Sequence, residues 1–316
     1  MGSLIPGLVS VVIPTYKRAE TLVKAIDSTL AQTYGHVEVL VVNDNAKGDE
    51  FSRNLYAILS RYSDERLHLT EQDRHVNGAA ARNAGIRKAR GEFIAFLDDD
   101  DYWEPQKLDR QVRLLSSLDP SWGAVSCLMR IYSHGRLVSS SLPYRDGNIL
   151  LDLLDRRTSM GTGALLIRRT ALDDCGYFDE SLQRHQDLQL FARLAAKYKI
   201  KLDRTYLHNR ENKDGRNRPP VEKMEDIKAA YFLSIRDILD ALPPSDRKKV
   251  RIMHDFECAY AFLKNGRVRE GLGKMFGIFQ SPSTFRLAVE RAARRIVETK
   301  GRFFLQRIYA PSTGGK

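Results

Sequence analysis

The sequence is poor in cysteine and has no long hydrophobic run. Its three cysteines are odd in number, lie far apart and form no C-x-x-C pair, which argues against a disulfide framework and against a structural zinc site. This usage predicts a reducing compartment. No stretch of about 18 or more apolar residues occurs, so we expect no membrane-spanning helix. The G-x-G-x-x-G fingerprint of dinucleotide oxidoreductases is missing as well.

The amino-terminal apolar run also lacks the features of a signal peptide. No basic residue precedes residues 8–13, and the run continues directly into the polar residues 14–18. It is better interpreted as a first buried strand. We therefore expect a cytoplasmic protein.

Positive charge is in excess over the whole chain. The 316 residues include 51 lysines and arginines against 40 acids, a net charge of +11. A basic surface attracts polyanions such as nucleic acid, anionic lipid or phosphorylated substrates, although solubility alone would also explain it. The hydrophobic content of 42% is ordinary for a soluble globular protein with a normal core.

The first hundred residues alternate apolar, β-branched runs with segments of helical spacing. Predicted strands lie at 8–13, 37–42, 66–70 and 92–97, and predicted helices at 19–32, 51–62 and 78–90. This alternation predicts an α/β fold with a doubly wound, mostly parallel sheet and flanking helices. Ligands bind such sheets beyond the carboxyl ends of the strands. Polar clusters fall at three of those ends, at 14–16, 43–45 and 98–101.

Four consecutive aspartates at 98–101 are the most informative feature. Adjacent carboxylates repel one another and are costly unless a cation neutralises them. Hard oxygen ligands suit Mn²⁺ or Mg²⁺, which in turn hold phosphates. A solvated acidic turn is the alternative, but the run directly follows an apolar strand and precedes Tyr102 and Trp103. We therefore expect a metal site.

Three stretches of the chain resemble the family-2 glycosyltransferases, whose catalytic domain has the GT-A fold. They have the order and spacing of that family and span most of residues 8–105. The stretches are VVIPTYKR at 11–18 with VLVVND at 39–44, NGAAARNAG at 77–85, and FLDDDDYW at 96–103 followed by Pro105. The resemblance implies transfer of a sugar from a nucleotide-sugar donor, with a UDP-sugar favoured.

The resemblance implies roles at the strand ends. Thr15 and Tyr16 line the nucleotide base, and Asp44 accepts a hydrogen bond from a ring N–H such as that of uracil. Arg82 faces the base or the diphosphate. An Asx turn for Asp44 and a solvated helix position for Arg82 are the alternatives. The predicted donor-binding residues are Pro14, Thr15, Tyr16, Arg18, Asp44, Arg82, Asp98 and Asp99.

In the family, the D-x-D motif holds the metal. Its first carboxylate, Asp98, lies near the ribose and the metal, and Asp100 binds the metal directly. Asp101 leaves the register of the motif open by one residue. His208 is a predicted further metal ligand, with a structural histidine as an equal alternative. The cofactor implied is Mn²⁺ or Mg²⁺.

A further predicted strand lies at 163–167. Residues 160–169, 178–182 and 185–190 resemble the acceptor side of the family. A Glu-Asp or similar pair starts a helix there, and its aspartate is the catalytic base. This chain has Gln186 in place of the acidic first member and keeps Asp187. Asp187 could instead merely complement the helix dipole. The matching segments before it favour the catalytic role, in which a single base with in-line attack inverts the anomeric configuration.

The polar stretch 209–220 ends in Pro-Pro and predicts a loop or domain boundary. We expect a GT-A catalytic domain at 1–218, with a nucleotide-sugar half at about 8–105 and an acceptor half at about 106–218. A helical, basic region at 219–316 follows. The acceptor is expected to be a carbohydrate, glycolipid or glycoprotein in bacterial polysaccharide or glycoconjugate synthesis.

The segment 286–307 contains seven lysines and arginines against two acids, interleaved with apolar residues. A cationic amphipathic helix of this kind can lie on anionic lipid, which would place the protein on the inner face of the plasma membrane. An apolar face packed on the catalytic domain is the alternative. Because no nucleic-acid-binding motif accompanies the charge, nucleic acid is not an expected partner.

Two other functions compete with sugar transfer. A sugar-phosphate nucleotidylyltransferase has a related sheet, but it should carry a glycine-rich, basic loop where this chain has Pro14-Thr15-Tyr16. A non-catalytic nucleotide-sugar-binding module is the second alternative. The intact aspartate run and Asp187 argue against it.

Overall fold

The amino-terminal part of the chain folds in the predicted alternation of strands and helices. In this computed structural model, residues 4–72, 74–158, 160–211 and 220–276 are described, and beyond them only positions 282, 285, 286, 289, 293 and 297. The first elements are β1 (Ile5–Thr15), α1 (Ala19–Leu30), β2 (Val37–Asn43), α2 (Glu50–Leu59), β3 (Leu67–Glu71), α3 (Gly78–Lys88) and β4 (Gly91–Phe96).

The second group of elements completes the sheet and adds a set of helices. They are β5 (Tyr102–Trp103), α4 (Lys107–Ser116), β6 (Trp122–Ser133), β7 (Arg136–Ser140), α5 (Leu150–Leu154), β8 (Leu166–Arg168), α6 (Arg169–Cys175), α7 (Gln186–Lys197), β9 (Lys199–Glu211), α8 (Met224–Ser234), α9 (Arg236–Asp240), α10 (Pro244–Lys264) and α11 (Val268–Phe276).

The described strands form one mixed sheet in the order β3-β2-β1-β4-β8-β6-β9-β5, with β7 paired to β6. β3, β2, β1 and β4 are parallel, as predicted. Beyond β4 the sheet is mixed, since β8 runs antiparallel to both β4 and β6 whereas β6 and β9 are parallel. The carboxyl ends of β1, β2 and β4 therefore meet at one edge.

Buried side chains of β1 point to both faces of the sheet. Val9, Val11 and Ile13 pack with α1, α2 and α4 on one face, and Val12 packs on the other face with α3, α6 and α7. Side chains alternate along a strand, so a continuous apolar run fits a strand covered on both sides. Gly85 lets α3 lie close, since a Cβ there would approach Val12 Cγ1 to 2.3 Å.

Two predicted boundaries are wrong. The strand expected at 163–167 is a 3₁₀ turn at Thr162–Ala164 followed by β8, because the turn packs against the buried ring of His208. The loop expected to begin at 209 begins later. Residues 209–211 continue β9, since they pair with β6 at Arg130, Ile131 and Tyr132.

The carboxyl-terminal helices pack on α7. Ala192 of α7 and Leu154 of α5 share an apolar cluster with Tyr231, Ile235 and Val250 of α8 to α10. The helical character predicted beyond residue 220 is confirmed within the described ranges. No helix in those ranges has the length and apolarity needed to cross a bilayer. The predicted domain boundary at 218 lies outside the described residues.

Candidate active site

The aspartate run forms a turn between β4 and β5 at the carboxyl edge of the sheet. The turn closes with a hydrogen bond from the Asp101 amide to the Asp98 carbonyl at 3.1 Å. Asp98, Asp99 and Asp100 line a cleft, whereas Asp101 is buried on the other side of the turn. Because Asp101 is not part of the cleft, the structure favours the register in which Asp98 to Asp100 form the D-x-D motif.

Each cleft aspartate has a polar partner. Arg82 of α3 donates to Asp98 at 2.5 Å, and Arg18, just before α1, donates to Asp100 at 2.6 Å. The hydroxyl of Thr15, at the end of β1, donates to Asp99 at 2.8 Å. Two arginines therefore face the carboxylates from opposite sides of the cleft.

The negative charge of the cleft is only partly neutralised. Burial, followed by the neighbouring Asp100 and Asp98 carboxylates, raises the pKa of Asp99 to about 7. Burial and the carboxylates of Asp101 and Asp98 raise the pKa of Asp100 to about 6. Burial also disfavours charge on Asp98, but the Arg82 guanidinium outweighs it and lowers the pKa. The cleft would accept an added cation favourably.

The oxygen donors fit a divalent metal in their chemistry. Carboxylates in a buried, electrostatically strained cluster are the ligands that Mg²⁺ and Mn²⁺ take. The arginine pairs hold the side chains apart, and within the described ranges no three acidic, histidine or cysteine side chains converge as a metal-binding group. Asp98 and Asp100 would hold the ion once their arginines turn to other partners.

His208 is buried and is not among the residues that line the cleft. Its Nε2 lies 2.8 Å from Asp101 Oδ2, and the residue is 2% exposed. A Cβ on Gly163 would come within 2.5 Å of that ring, so the glycine allows the histidine to sit there. Its other ring nitrogen, Nδ1, is buried and has no hydrogen-bond partner among the described residues. The contact with Asp101 suits the structural alternative, and the role of His208 as a metal ligand stays a prediction.

A pocket for an aromatic ring lies at the ends of β1 and β2. Asp44 is buried and accepts hydrogen bonds from Gln72 Nε2 and His75 Nδ1, each at 2.9 Å. Burial raises the pKa of Asp44, although His75 offsets part of this effect. The rings of Tyr16 and His75 stack with their centroids 3.8 Å apart. A carboxylate and an aromatic surface thus occur side by side.

The start of α3 borders the same cleft. Asn77 caps the helix by accepting hydrogen bonds from the amides of Ala79 and Ala80 at 2.9 and 3.0 Å. Gly78 and Arg82 of its first turns line the cleft. Helix N-termini favour anions, and Arg82 adds a full charge. A diphosphate between the ring pocket and the aspartates would meet this end of the helix.

All eight predicted donor-binding residues lie in this one cleft, together with Asp100. His75 and Gly78 complete the lining, and Gln72 lies behind Asp44. Neither His75 nor Gln72 was predicted from the sequence. They belong to the irregular segment between β3 and α3, where no periodicity indicates which side chains turn inward.

Asp187 lies elsewhere, near the start of α7, and does not line the cleft. Its Oδ1 accepts from the amide of Leu188 at 2.8 Å, and the side chain is partly buried. Asn83 of α3 connects the two regions, because its side chain donates to the carbonyl of Phe178 and to the Glu180 carboxylate. The segment that precedes α7 is therefore anchored to the helix that borders the cleft.

Comparisons with known proteins agree with this arrangement. The glucosyltransferase WfgD of Escherichia coli, described as UDP-Glc:alpha-D-GlcNAc-diphosphoundecaprenol beta-1,3-glucosyltransferase, is 37% identical over 108 residues, covering 34% of this chain and 41% of WfgD. The chain spans between 33% and 60% of the length of the first curated relatives it matches.

Two solved structures share the fold. Residues 1–349 of Staphylococcus aureus TarS in complex with UDP-GlcNAc superpose with a TM-score of 0.61 at 17% identity, covering 92% of this chain and 81% of that TarS fragment. The mannosyltransferase PcManGT of Pyrobaculum calidifontis in complex with GDP-Man and Mn²⁺ gives a TM-score of 0.58 at 17% identity, covering 96% and 88%. The GT-A architecture predicted from the sequence is confirmed.

The family assignment rests on sequence. The sequence model described as Glycosyl transferase family 2 matches residues 10–176, which include β1 to α6 and the whole cleft. The chain belongs to glycosyltransferase family 2.

Proposed function

We propose that this protein is a metal-dependent, inverting glycosyltransferase that moves a sugar from a UDP-sugar to a hydroxyl acceptor. One observation carries the proposal: a single cleft holds the buried Asp44 beside the Tyr16–His75 stack, two arginines and three aspartates, which are the groups that a base, a diphosphate and a metal would each require. The UDP preference is further supported by WfgD, whose description includes UDP-Glc.

The base would bind at Asp44 and stack on the pair formed by Tyr16 and His75. Uracil offers one ring N–H beside its carbonyls, and a buried carboxylate is a matching acceptor. Arg82 and Arg18 would leave the aspartates and pair with the diphosphate. A bound Mn²⁺ or Mg²⁺ supplies charge stabilisation for the departing nucleoside diphosphate.

Asp187 is the proposed base. It would take the proton of the acceptor hydroxyl as that oxygen attacks the anomeric carbon from the face opposite the diphosphate. The carbon–oxygen bond to the diphosphate breaks as the new glycosidic bond forms, so the configuration inverts. General-base assistance of this kind contributes roughly 10²–10⁴-fold.

The acceptor we propose is a lipid-linked sugar diphosphate of bacterial polysaccharide or glycoconjugate synthesis. The named acceptor of WfgD is of that type. The test combines UDP-glucose or UDP-GlcNAc, Mn²⁺ and a short-chain lipid analogue of GlcNAc diphosphate. We expect a disaccharide product whose new linkage is β when the donor is α, read by NMR. Retention of the donor configuration would contradict the proposal.

The role of Asp44 can be tested by D44N. In D44N the side-chain NH2 group would face Gln72 and His75, which already donate hydrogen bonds there, and the ring N–H of uracil. Each of these contacts would then place two donors together. We expect UDP to bind about 10-fold more weakly, because a hydrogen bond to a charged acceptor is lost. Preference for UDP over CDP should also fall, since N3 of cytosine is an acceptor. Calorimetric titration with both nucleotides measures the two effects.

The control for this variant is D49N, which changes an aspartate that caps α2 by accepting from the Ser52 amide at 2.7 Å, outside the cleft. It should leave both affinities unchanged. An unaltered ratio of UDP to CDP affinity in D44N would place the base elsewhere.

Attachment to the membrane surface is the proposed role of the basic segment 286–307. Of this segment, only positions 286, 289, 293 and 297 lie within the described residues, and Val289 and Val297 are half-exposed there. Each basic residue near an anionic surface contributes about 1 kcal/mol. We expect the triple change of Arg291, Arg294 and Arg295 to glutamine to release the protein from phosphatidylglycerol vesicles while UDP binding persists.

A matched control removes three charges from Arg113, Arg136 and Lys264, which are exposed in other parts of the molecule. If that variant is released equally, net charge alone drives the attachment. High salt should also release the unaltered protein, because surface attraction is screened. Failure of the unaltered protein to sediment with the vesicles would end the membrane proposal.

A further inference from the structure

The helix that carries Asp187 begins on a strained residue. α7 starts at Gln186, and His185 before it has a φ of 63°, in the left-handed region. That conformation is unfavourable for a residue with a side chain and persists only where surrounding contacts enforce it. The His185 side chain does not cap the helix. Whatever holds His185 therefore also sets the position of Asp187, two residues later.

The contacts on His185 come from the carboxyl-terminal helices. Its ring meets Tyr231 of α8 edge-on, with the centroids 5.6 Å apart. Tyr231 is 2% exposed and stacks in turn on His254 of α10 at 5.5 Å. The Nε2 of His254 donates to the carbonyl of Leu154 at 2.9 Å. Three rings thus link the start of α7 to α10 and to the end of α5.

One carboxylate holds this arrangement together. Glu257 of α10 accepts from Arg156 Nε at 3.1 Å and from Lys228 Nζ at 2.7 Å. Lys228 Nζ also donates to His254 Nδ1 at 3.0 Å. Arg156 and Lys228 are both largely buried, so without the carboxylate two poorly solvated cations would repel each other. Arg156 is itself left-handed, with a φ of 62°.

Arg156 also interacts electrostatically with Asp187. Burial disfavours the charged form of Arg156, but the carboxylates of Glu257 and Asp187 outweigh it, and the net effect is a raised pKa. Burial, with Lys228 and Arg156 nearby, lowers the pKa of His185 to about 3, so this ring is neutral. Arg156 is therefore paired with Glu257, and its charge attracts that of Asp187 more weakly.

We propose that Glu257 is a positioning residue for the base Asp187, acting through the Lys228–His254–Tyr231 contacts on His185 and through its ion pair with Arg156. The family match ends at residue 176, before α7, α8 and α10. The inference thus gives the carboxyl-terminal helices a part in catalysis, and it rests on the proposed role of Asp187.

The test is E257Q, which keeps the shape of the side chain and removes its charge. Turnover of UDP-glucose with Mn²⁺, followed as UDP release with water or with the lipid GlcNAc diphosphate analogue, should fall roughly 10- to 100-fold because the base is displaced. The KM for the donor and the Kd for UDP should not change, since the donor cleft lies elsewhere. D246N, which changes an acid of α10 paired to Lys249 near the surface, is the control and should behave as wild type.

A double-mutant cycle separates positioning from general weakening of the fold. If Glu257 acts partly through Arg156, R156Q should lower turnover by itself, and the E257Q/R156Q double variant should lose little more than E257Q alone. Losses that multiply would overturn the proposal. A parallel loss of UDP affinity and turnover in E257Q would also overturn the proposal, because it would indicate that Glu257 only stabilises the fold. Should E257Q not fold, R156K keeps the charge, shortens the reach to Glu257 and must show the same loss of turnover.

D187N is measured alongside these variants. If D187N turns over like wild type, the assignment of the base fails, whatever E257Q does. If D187N is inactive and E257Q is unaffected, only the positioning role fails.

Discussion

Asparagine at position 187 is expected to reduce sugar transfer by roughly 10²–10⁴-fold while donor binding survives. The amide has the shape of the carboxylate but cannot accept the proton of the acceptor hydroxyl. Asp187 is not part of the donor cleft, so the Kd for UDP and the dependence on Mn²⁺ should stay as in the wild type. Steady-state kinetics and calorimetric titration of UDP measure the two quantities separately.

Two nearby acids serve as controls. Glu180 accepts from Asn83 at 2.8 Å, and Asp179 accepts from the amide and hydroxyl of Ser181 within its own turn. Both carboxylates already act as hydrogen-bond acceptors, and the amide oxygens of E180Q and D179N can still accept these bonds, so both variants should retain most of the turnover. Wild-type transfer in D187N combined with a large loss in one of these would move the base to that residue.

Loss of the Asp100 carboxylate is expected to abolish Mn²⁺-dependent donor binding and to lower transfer by about 10³-fold. Asp100 is a proposed direct ligand of the metal. Arg18 would repel the metal ion, and its own charge cannot replace the charge that the metal supplies. Titration of Mn²⁺ against UDP-sugar binding in D100A checks this. Metal-stimulated turnover equal to that of the wild type would contradict the metal site.

The stability of D100A should not fall. The folded pKa of Asp100 is raised from its ordinary value of 3.8 to about 6. The favourable contribution of Asp100 to the free energy of unfolding is therefore present below the pKa of the unfolded state and is lost as the pH rises through 6. At pH 7.5, without metal, D100A should melt at or above the wild-type temperature.

D101A should instead melt lower, because it leaves His208 buried without its partner.

The amino-terminal half was predictable in detail. The predicted strand at 37–42 differs by one residue from β2, and the predicted helix at 78–90 from α3 by two. Both carry patterns that depend on neighbouring residues alone: a β-branched run buried on both faces, and an alanine-rich helix after an asparagine cap. The family motifs lie in this half, so the cleft residues could be named before their arrangement was known.

Other parts of the site depend on contacts that no local pattern records. The direction in which Asp101 points is decided by His208, 107 positions later, and the partners of Asp44 come from an irregular segment. Likewise, nothing in the sequence relates Glu257 to Arg156, 101 positions earlier. Periodicity indicates which residues are buried, but not which buried charges meet.

The contact between Asp101 and His208 also bears on how the enzyme is made. A growing chain that has released residue 105 contains every donor-cleft residue, yet the turn bearing the aspartates is still without its anchor. Backbone pairing of β5 with β9 and the Asp101–His208 bond both await the last strand. Because domains fold as units during synthesis, competence to bind the donor should appear abruptly, after β9 has emerged, and a nascent chain of intermediate length should not bind metal and nucleotide ahead of time.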